Sequence, residues 1–355
     1  MLKTTISVKS SPKSIRLCQG KKISLCCALF TLFIFIAAAV LTSCGNNSSA
    51  FTVSDTQVQK AVSKPSPKTF TVDEVQLMMK NGETVSDGDF AAPVHLATPS
   101  NELNMPDGTD WQSMDESICA VSDGDIIIGS SIGDTYLWRV DGQGSVHTVK
   151  IRVRKAAYLT IDDWPNAYVT PKILNIFKEY KVRATFFLNA SDYYRELYAP
   201  IKNAGHSIGN HTYSHASTSI FKDKETMLSQ FSRMNEFLKE TIDSEPKIVR
   251  IPGGSFSKSA TESGPAKRKE SLKTLHDNGY RIFDWTATFG DSSATVSPGK
   301  SVYWISNTCK RDFEIILLHH KITSAQALPD VIKLLRERDY EFFPITDSTP
   351  EYIFE

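Results

Sequence analysis

The sequence predicts two folded parts in tandem, a small all-β sandwich over residues 70–155 and an α/β domain over residues 156–349. The sandwich is predicted by short runs of alternating apolar and polar residues with turn residues between them. The α/β domain is predicted by strand-like and amphipathic helical segments that alternate after residue 156. Repeated β-α units indicate a parallel sheet or a barrel. The length of 355 residues is enough for both parts and for the segments that precede them.

An export signal is predicted over residues 1–43. Six lysines and arginines accompany an apolar run over residues 23–40, and no acidic residue occurs before Asp55. The residues that end in Cys44 resemble a bacterial lipobox, in which the cysteine becomes the lipidated first residue of the mature chain. We therefore interpret Cys44 as a lipidation site and expect an extracytoplasmic protein that is lipid-anchored to the cell membrane. A plain uncleaved anchor is the alternative, because the apolar run is near the lower limit for a spanning helix.

Residues 44–69 contain Ser, Lys and Pro but few aromatic residues, which predicts a flexible tether. The leader holds six of the 40 basic residues and none of the 40 acidic ones, so the mature chain has 34 basic against 40 acidic residues. This balance does not indicate a nucleic-acid partner. Beyond Cys44 the chain contains Cys119 and Cys309, and their wide separation predicts no disulfide framework.

The predicted sandwich over residues 70–155 shows its clearest alternation at residues 148–153, Thr-Val-Lys-Ile-Arg-Val. No helix is predicted after Met79. The segment over residues 111–133 resembles bacterial immunoglobulin-like repeats of the group 2 type. We expect Trp111 to pack in the core of this part. The resemblance implies a spacer or a cell-wall adhesion module.

The α/β domain begins with a buried strand at residues 157–161. Further strands are predicted at residues 183–188, 206–209, 248–251, 281–285, 314–318 and 341–345. Helices are predicted at residues 171–180, 192–203, 224–242, 267–278, 298–310 and 324–338. In barrels of this kind the chemistry lies on loops at the carboxyl ends of the strands. The polar residues that follow strands here are Asp162, Asp163, His211, Arg250, Asp291 and His319.

Potential metal ligands follow two of these strands. His211 and His215 are four residues apart, and on a helical turn both imidazoles could reach one ion. The pair is not an HExxH motif, because Thr212 stands where that motif has Glu. Zinc hydrolases usually supply three protein ligands and leave a position for water. One of Asp162 and Asp163 could therefore complete a site for zinc or another divalent metal, and the other could accept a proton. Ordinary surface or core histidines are the alternative.

Two further segments carry groups for catalysis. Arg250 is followed by Ile-Pro-Gly-Gly, so a cation that can orient a carboxylate precedes a turn whose N–H groups can face an oxyanion. The alternative is an ordinary glycine turn with a surface arginine. His319 and His320 end a buried strand. At that position His319 could act as a general acid, and a satisfied core histidine is the alternative.

Together these segments resemble the polysaccharide deacetylases of the NodB type, carbohydrate esterase family 4. The resemblance covers residues 156–345 and rests on motifs in the order of the family at residues 160–163, 211–215, 250–254, 284–291 and 317–319. It implies a distorted (β/α)7 barrel with an open groove for a polymer. It also implies a role for each motif residue: Asp162 as the catalytic base, Arg250 as its orienting partner, Asp163, His211 and His215 as metal ligands, His319 as the general acid, and Asp291 as the residue that tunes His319.

Departures from the family pattern concern the substrate groove. Trp164 stands where a Gly is usual, and it could narrow the groove or offer a sugar-stacking face. Gly253 replaces a common Tyr, Ser292 replaces a Trp that lines the acetate pocket, and Thr288 replaces a frequent Asp. These departures bear on substrate specificity more than on catalysis. The residues to which we assign substrate binding are Pro252, Gly253, Trp164 and Trp285.

The resemblance implies a metal-dependent hydrolase that removes N-acetyl groups from an N-acetylglucosamine-containing cell-wall polysaccharide. Export favours peptidoglycan as that polymer. An O-acetyl esterase on acetylated xylan or another polymer, and a non-catalytic wall-binding lipoprotein, are the alternatives. The last would lack a ligand or a catalytic group, and none is missing from the motifs. We expect a monomer whose partners are the polysaccharide and, through the lipid anchor, the membrane.

Overall fold

The computed structural model describes residues 69–355 apart from residues 107, 109, 124, 125, 216, 218, 219 and 294 and the side chain of Ser259. The predicted signal peptide, the predicted lipidation site Cys44 and the predicted tether up to residue 68 lie outside the described residues. Within the part of the chain that is described, the helices are all too short or too polar to span a membrane.

The described chain starts with a capped helix, α1 (Val72–Asn81). The hydroxyl of Thr71 accepts the N–H of Glu74, and the Glu74 carboxylate accepts the N–H of Thr71 at 2.7 Å. This reciprocal pair satisfies donors that the first turn leaves free. The helix ends at Gly82, which has a left-handed φ of 74°.

Two sheets follow α1. The strands are β1 (Val85–Pro93), β2 (Ala97–Pro99), β3 (Gln112–Ser113), β4 (Cys119–Ser122), β5 (Ile126–Gly129), β6 (Gly133–Val140) and β7 (Val146–Asp162). In one sheet β7 pairs antiparallel with β6 and parallel with β1, while β3 pairs with β6. The other sheet has the order β2-β5-β4.

The core of this region contains buried residues from both sheets, as the alternating sequence predicts. Val149, Ile151 and Val153 point inward from β7 and are fully buried. Trp111 is 3% exposed and belongs to the same cluster, which confirms that it packs in the core. The immunoglobulin-like assignment stays a prediction.

Strand β7 continues through residue 155, where the sequence analysis draws a domain boundary. Its first half pairs with β1 and β6, and its second half pairs with strands of the α/β region. The two parts of the described chain therefore share one uninterrupted strand of 17 residues.

The α/β region alternates strands and helices, as predicted. In chain order its elements after β7 are α2 (Thr170–Glu179), β8 (Thr185–Leu188), a 3-10 helix (Asp192–Leu197), α3 (Tyr198–Asn203), β9 (Ser207–Asn210), α4 (Lys224–Ile242), β10 (Ile248–Val249), α5 (Lys258–Ser263), α6 (Pro265–Asp277), β11 (Arg281–Ile282), β12 (Ala287–Thr288), α7 (Pro298–Thr308), β13 (Phe313–His319), α8 (Ile322–Arg336) and β14 (Tyr340–Phe342).

In the curled sheet seven parallel strands follow the order β11-β10-β9-β8-β7-β13-β12, and β14 pairs parallel with β7 outside this order. Apolar residues of these strands and of α2, α4 and α8 form the largest buried cluster. Among the described residues, β11 and β12 lie at the two ends of this strand order. Next to β11, Phe283 forms a parallel bridge with Tyr352.

Two details of the helix predictions are wrong. The predicted helix over residues 192–203 is divided, because Tyr194 has a non-helical φ of −116° and ψ of 21°. Helix α5 begins at a Ser257 cap and was not predicted.

Cys119 and Cys309 are both free and buried.

Candidate active site and metal centre

The register of the central strands gathers the candidate residues at one edge of the sheet. His319 at the end of β13 lies opposite Asp162 at the end of β7. Asp162 lies opposite Phe187 of β8, and Leu188 lies opposite Asn210, which directly precedes His211. Because parallel strands end at the same edge, the candidate acid, base and ligands converge there.

Asp163, His211 and His215 form a cluster whose ligand atoms all lie within 4.8 Å of one another. Nε2 of His215 lies 3.2 Å from Oδ1 of Asp163, and Nε2 of His211 lies 3.7 Å from the same oxygen. The three residues that the sequence suggests as ligands are therefore brought together.

The histidine pair does not lie on a helical turn, so the prediction from its four-residue spacing is wrong in this respect. Thr212 and His215 have left-handed φ values of 72° and 55°. Asn189 donates from its amide to the carbonyl oxygens of His211 and Thr212, and Oδ1 of Asn210 accepts the Thr212 N–H at 2.8 Å. These side-chain bonds replace the backbone bonds of a helix and turn both imidazoles toward Asp163.

Asn189 and Asn210, which are both fully buried, are not among the residues predicted from the sequence. A signal for them was present, because each stands at the carboxyl end of a strand, next to the loop that the chemistry needs. Asn is favoured in such turns, since its side chain bonds to nearby backbone.

His211 is held in the neutral form that a metal ligand requires. Its Nδ1 lies 2.8 Å from the carbonyl oxygen of Arg250, so the proton is on Nδ1 and the Nε2 lone pair faces the cluster. Burial lowers the pKa of His211 to about 3. The imidazole therefore stays uncharged near neutral pH.

The cluster fits a divalent metal ion. Oδ1 of Asp163 is buried and has no hydrogen-bond partner among the described residues. A buried carboxylate oxygen without a donor is costly, and here it faces ring nitrogens rather than backbone N–H groups. One carboxylate and two imidazoles form a three-ligand set that suits zinc with a position open for water.

Asp162 and Arg250 form a buried ion pair beside the cluster. Nη1 of Arg250 donates to Oδ1 of Asp162 at 2.8 Å and to the Thr160 hydroxyl at 2.7 Å. The other guanidinium donors reach the carbonyl oxygens of Phe283 at 2.7 Å and Asp284 at 3.0 Å. The arginine is fully buried, so the alternative of a surface arginine is wrong.

The second carboxylate oxygen of Asp162 is directed to the cluster. Its Oδ2 lies 3.6 Å from Nε2 of His211. Burial raises the pKa of Asp162, and the positive charge of Arg250 opposes that rise. The residue is thus oriented by Arg250 on one oxygen and can face a reacting water with the other.

His319 and Asp291 form a second pair. Nδ1 of His319 lies 2.7 Å from Oδ1 of Asp291, and the backbone N–H of His319 donates to Oδ2 of Asp291 at 2.7 Å. Burial alone would lower the pKa of His319, but the hydrogen bond and negative charge of Asp291 raise it. Burial would raise the pKa of Asp291, but the bonds from His319 and Ser324 hold it low. Ser324 is a further residue that the sequence analysis missed.

Comparisons with known proteins identify the family. Over residues 150–280 the chain matches a family model described as polysaccharide deacetylase. An uncharacterised 30.6 kDa protein of Geobacillus stearothermophilus is 30% identical over 210 residues, which cover 57% of this chain and 74% of that protein. The chain belongs to the polysaccharide deacetylase family. A peptidoglycan-N-acetylglucosamine deacetylase of Bacillus cereus is 28% identical over 200 residues, or 53% of this chain and 68% of that protein.

Solved structures agree with this deacetylase fold. The catalytic domain of a peptidoglycan N-acetylglucosamine deacetylase from Eubacterium rectale has a TM-score of 0.54 and 27% identity, and the match covers 57% of this chain and 93% of that domain. A polysaccharide deacetylase of Bacillus cereus has a TM-score of 0.51 and 25% identity, and the match covers 56% of this chain and 96% of that protein. The predicted family and its (β/α) fold are therefore confirmed, and the family is one of hydrolases.

Two of the candidate substrate residues, Trp164 and Trp285, lie beside residues of this site. Trp164 is 38% exposed, its ring centroid lies 5.6 Å from that of His215, and its Nε1 donates to the Ala190 carbonyl. Pro252 is buried, while Gly253 is exposed. Trp285 is half-buried, with its ring 5.8 Å from the Arg250 guanidinium.

Proposed function

We propose that the protein is a metal-dependent N-deacetylase that acts on N-acetylglucosamine units of a cell-wall polysaccharide, with peptidoglycan as the expected substrate. One observation carries the proposal: the Asp163-His211-His215 cluster lies directly beside the buried pair of Asp162 and Arg250. A ligand set next to an oriented carboxylate suits hydrolysis of an acetamide by a bound water.

Asp163, His211 and His215 would hold the metal. A divalent ion bound there would act as a Lewis acid toward the acetamide carbonyl and lower the pKa of a bound water. Zinc is the ion that we propose, because one carboxylate and two imidazoles suit it.

Asp162 is the proposed base. Its pKa is raised by burial, so the carboxylate holds a proton more readily than an exposed aspartate does. Arg250 fixes its orientation through the 2.8 Å bond to Oδ1. As the water oxygen bonds to the carbonyl carbon, Asp162 would take the proton of the water.

His319 is the proposed acid. An amine anion is a poor leaving group, so the amide nitrogen must gain a proton as the C–N bond breaks. Asp291 raises the pKa of His319 and thereby keeps the imidazole protonated to higher pH. The N–H of Gly253 would stabilise the oxyanion, a contribution typically worth about 10²–10³ in rate. The products are acetate and a glucosamine unit.

Peptidoglycan as substrate is supported by the names of relatives. These include a peptidoglycan-N-acetylglucosamine deacetylase and a peptidoglycan-N-acetylmuramic acid deacetylase that is 27% identical over 199 residues. The exposed indole of Trp164 beside His215 would provide a face for a sugar ring. Trp285, Pro252 and Gly253 would form other parts of the groove.

The setting of the enzyme is part of the proposal. Lipidation at Cys44 would anchor a monomer outside the cytoplasm, and residues 44–69 would be its tether. Residues 70–155 would be an immunoglobulin-like spacer or wall-adhesion module, and residues 156–349 the catalytic domain.

Acetate release from purified peptidoglycan, chitin oligomers and acetylated xylan, measured side by side, tests the proposal. We expect release from peptidoglycan, and the Asp162→Asn variant serves as the inactive control. Release from acetylated xylan alone would make the protein an O-acetyl esterase. No release from any polymer by the metal-loaded protein would contradict an enzymatic role.

A further inference from the structure

Behind the Pro252–Gly254 turn lies a buried carboxylate that the proposed chemistry does not use. Asp284 is fully buried. Its Oδ1 accepts the N–H of Ser255 at 2.8 Å, and its Oδ2 accepts the N–H of Phe354 at 2.8 Å and the Ser255 hydroxyl. One side chain therefore joins the end of the turn to a segment almost a hundred residues later in the chain.

The later segment, residues 352–354, lies beside the extension of β11. Tyr352 forms a parallel bridge with Phe283, and its carbonyl oxygen accepts the Asp284 N–H at 2.7 Å. Arg268 binds both sides of the junction, because it donates to the carbonyl oxygens of Ser255, at 2.7 Å, and of Phe354. The segment thus acts as a strap over the turn.

Packing closes the same junction. Gly254 has a left-handed φ of 84°, and a Cβ there would lie 2.9 Å from the Phe354 ring and 3.1 Å from the Trp285 ring. The two rings contact each other edge to face, with centroids 4.9 Å apart. The turn therefore has little freedom to move toward its buried side.

We propose that Asp284, together with the strap over residues 352–354, is a positioning residue that holds the Gly253 N–H in place for the oxyanion. The inference rests on the proposed function, because the position of this N–H matters to catalysis only if an oxyanion forms beside it. The backbone carbonyl oxygen of Asp284 also accepts a hydrogen bond from the Arg250 guanidinium at 3.0 Å. Asp284 thereby connects the oxyanion turn with the partner of the proposed base.

The variant Asp284→Asn tests this inference, since Asn has a similar shape but lacks one acceptor oxygen. We expect kcat to fall about 10–100-fold, because a displacement of about 1 Å at a catalytic group can cost about 10² in rate. KM and bound metal should stay near the wild-type values, since the bond to Arg250 comes from the backbone and no ligand changes.

Glu314→Gln is the matched control. Glu314 is also fully buried and also accepts two backbone N–H groups, of Lys310 at 2.8 Å and Arg311 at 2.9 Å, and one hydroxyl, of Thr286. It lies in β13 opposite Ala157, several residues before the catalytic edge. Loss of stability should be comparable in the two variants, and loss of kcat should be confined to Asp284→Asn. Equal losses of kcat would overturn the inference.

Two further measurements keep the test decisive. Ser255→Ala removes the hydroxyl bond to Asp284 and the 3.3 Å bond that this hydroxyl accepts from Arg268, but it keeps the backbone bonds of the junction. It should therefore fold and lose about fivefold in kcat; unchanged kcat would contradict the inference. Backbone NMR order parameters of Gly253 and Gly254 should fall in Asp284→Asn and not in Glu314→Gln, whatever the activity. If the wild-type protein releases no acetate, the proposed function fails and the catalytic part of this inference fails with it. Unchanged order parameters would instead refute the positioning itself.

Discussion

Two neighbouring parts of the site differ in how completely their polar groups are satisfied. The guanidinium of Arg250 and Oδ1 of Asp162 are buried and joined by a hydrogen bond of 2.8 Å. The guanidinium also donates to the Thr160 hydroxyl and to two backbone carbonyl oxygens at 2.7–3.0 Å. In the adjacent cluster, Oδ1 of Asp163 has no hydrogen-bond partner among the described residues, and the backbone of both Asp163 and His215 is left-handed.

The difference indicates which part depends on an external group. The Asp162–Arg250 pair is complete without a ligand, so it can keep the proposed base oriented before substrate binds. The cluster contains in Asp163 Oδ1 a buried acceptor that has no donor among the described residues, and a bound cation would stabilise it. Variants of the two parts should therefore fail in different ways.

The largest expected effect is on turnover in Asp162→Asn. Removal of a general base typically costs about 10²–10⁴-fold, or roughly 3–5 kcal/mol of barrier. Asn can still accept the Arg250 bond, and the three cluster residues are unchanged, so metal content should stay at the wild-type level. Acetate release and bound metal are measured on the same sample.

Asp163→Asn is the matched control for that variant, since it makes the same chemical change one residue later. We expect it to bind metal weakly and to recover part of its activity in excess zinc. If Asp162→Asn loses the metal and Asp163→Asn keeps it, the two roles are reversed.

The next effect is on stability. In Arg250→Met the Asp162 carboxylate, which is 3% exposed, loses its partner. Removing one member of a buried ion pair typically costs about 3–5 kcal/mol of unfolding free energy. Denaturant unfolding of the metal-free protein measures this loss of unfolding free energy. Adding Asp162→Asn to Arg250→Met should restore part of the lost stability, because the unpaired charge is removed. If Arg250→Met is as stable as the wild type, the ion pair contributes nothing to stability.

A smaller effect is expected on metal-dependent stabilisation in His211→Ala. A ligand that binds only the folded state at about 100 times its Kd adds about 2.7 kcal/mol. Zinc should therefore raise the unfolding midpoint of the wild type and not that of the variant, while a chelator should reverse the increase. The variant His206→Ala is a control, because His206 is buried but lies outside the cluster. An equal zinc effect in His211→Ala would contradict the assignment of the ligands.

The sequence predicted the candidate residues better than it predicted the local backbone that unites them. Strand ends are visible as buried runs followed by polar residues, so Asp162, His211 and His319 could be placed at one edge of the sheet. The left-handed turn at Thr212 was not visible, because it depends on Asn189 as well as on the nearby Asn210. Asn189 follows β8 and meets Thr212 only in the fold.

The same limit applies to the turn at Gly254. Two adjacent glycines indicate a turn, but nothing local shows that Asp284 and Phe354 hold it. The alternating residues of β7 predicted its buried face correctly, since that pattern is local. The continuity of β7 across residue 155 depends on partners from both halves of the described chain, so periodicity could not reveal it.

The smallest expected effect concerns pH and separates the proposed acid from the proposed base. His319 must be protonated to donate, and Asp291 raises its pKa, so activity should be lost as pH rises through that raised value. In Asp291→Asn the negative charge beside His319 is gone, so burial, which lowers the pKa of His319, is opposed mainly by the charges of Asp162 and Asp163. The alkaline limb of the kcat profile should therefore move to lower pH. At a pH above the limb, each unit by which the pKa of His319 falls lowers the protonated fraction about tenfold. The acidic limb should stay in place, because Asp162 keeps Arg250. Ser324→Ala, which removes a donor to Asp291 but keeps the charge, should move the alkaline limb less. An alkaline limb that is the same in Asp291→Asn and in the wild type would mean that a group other than His319 donates the proton.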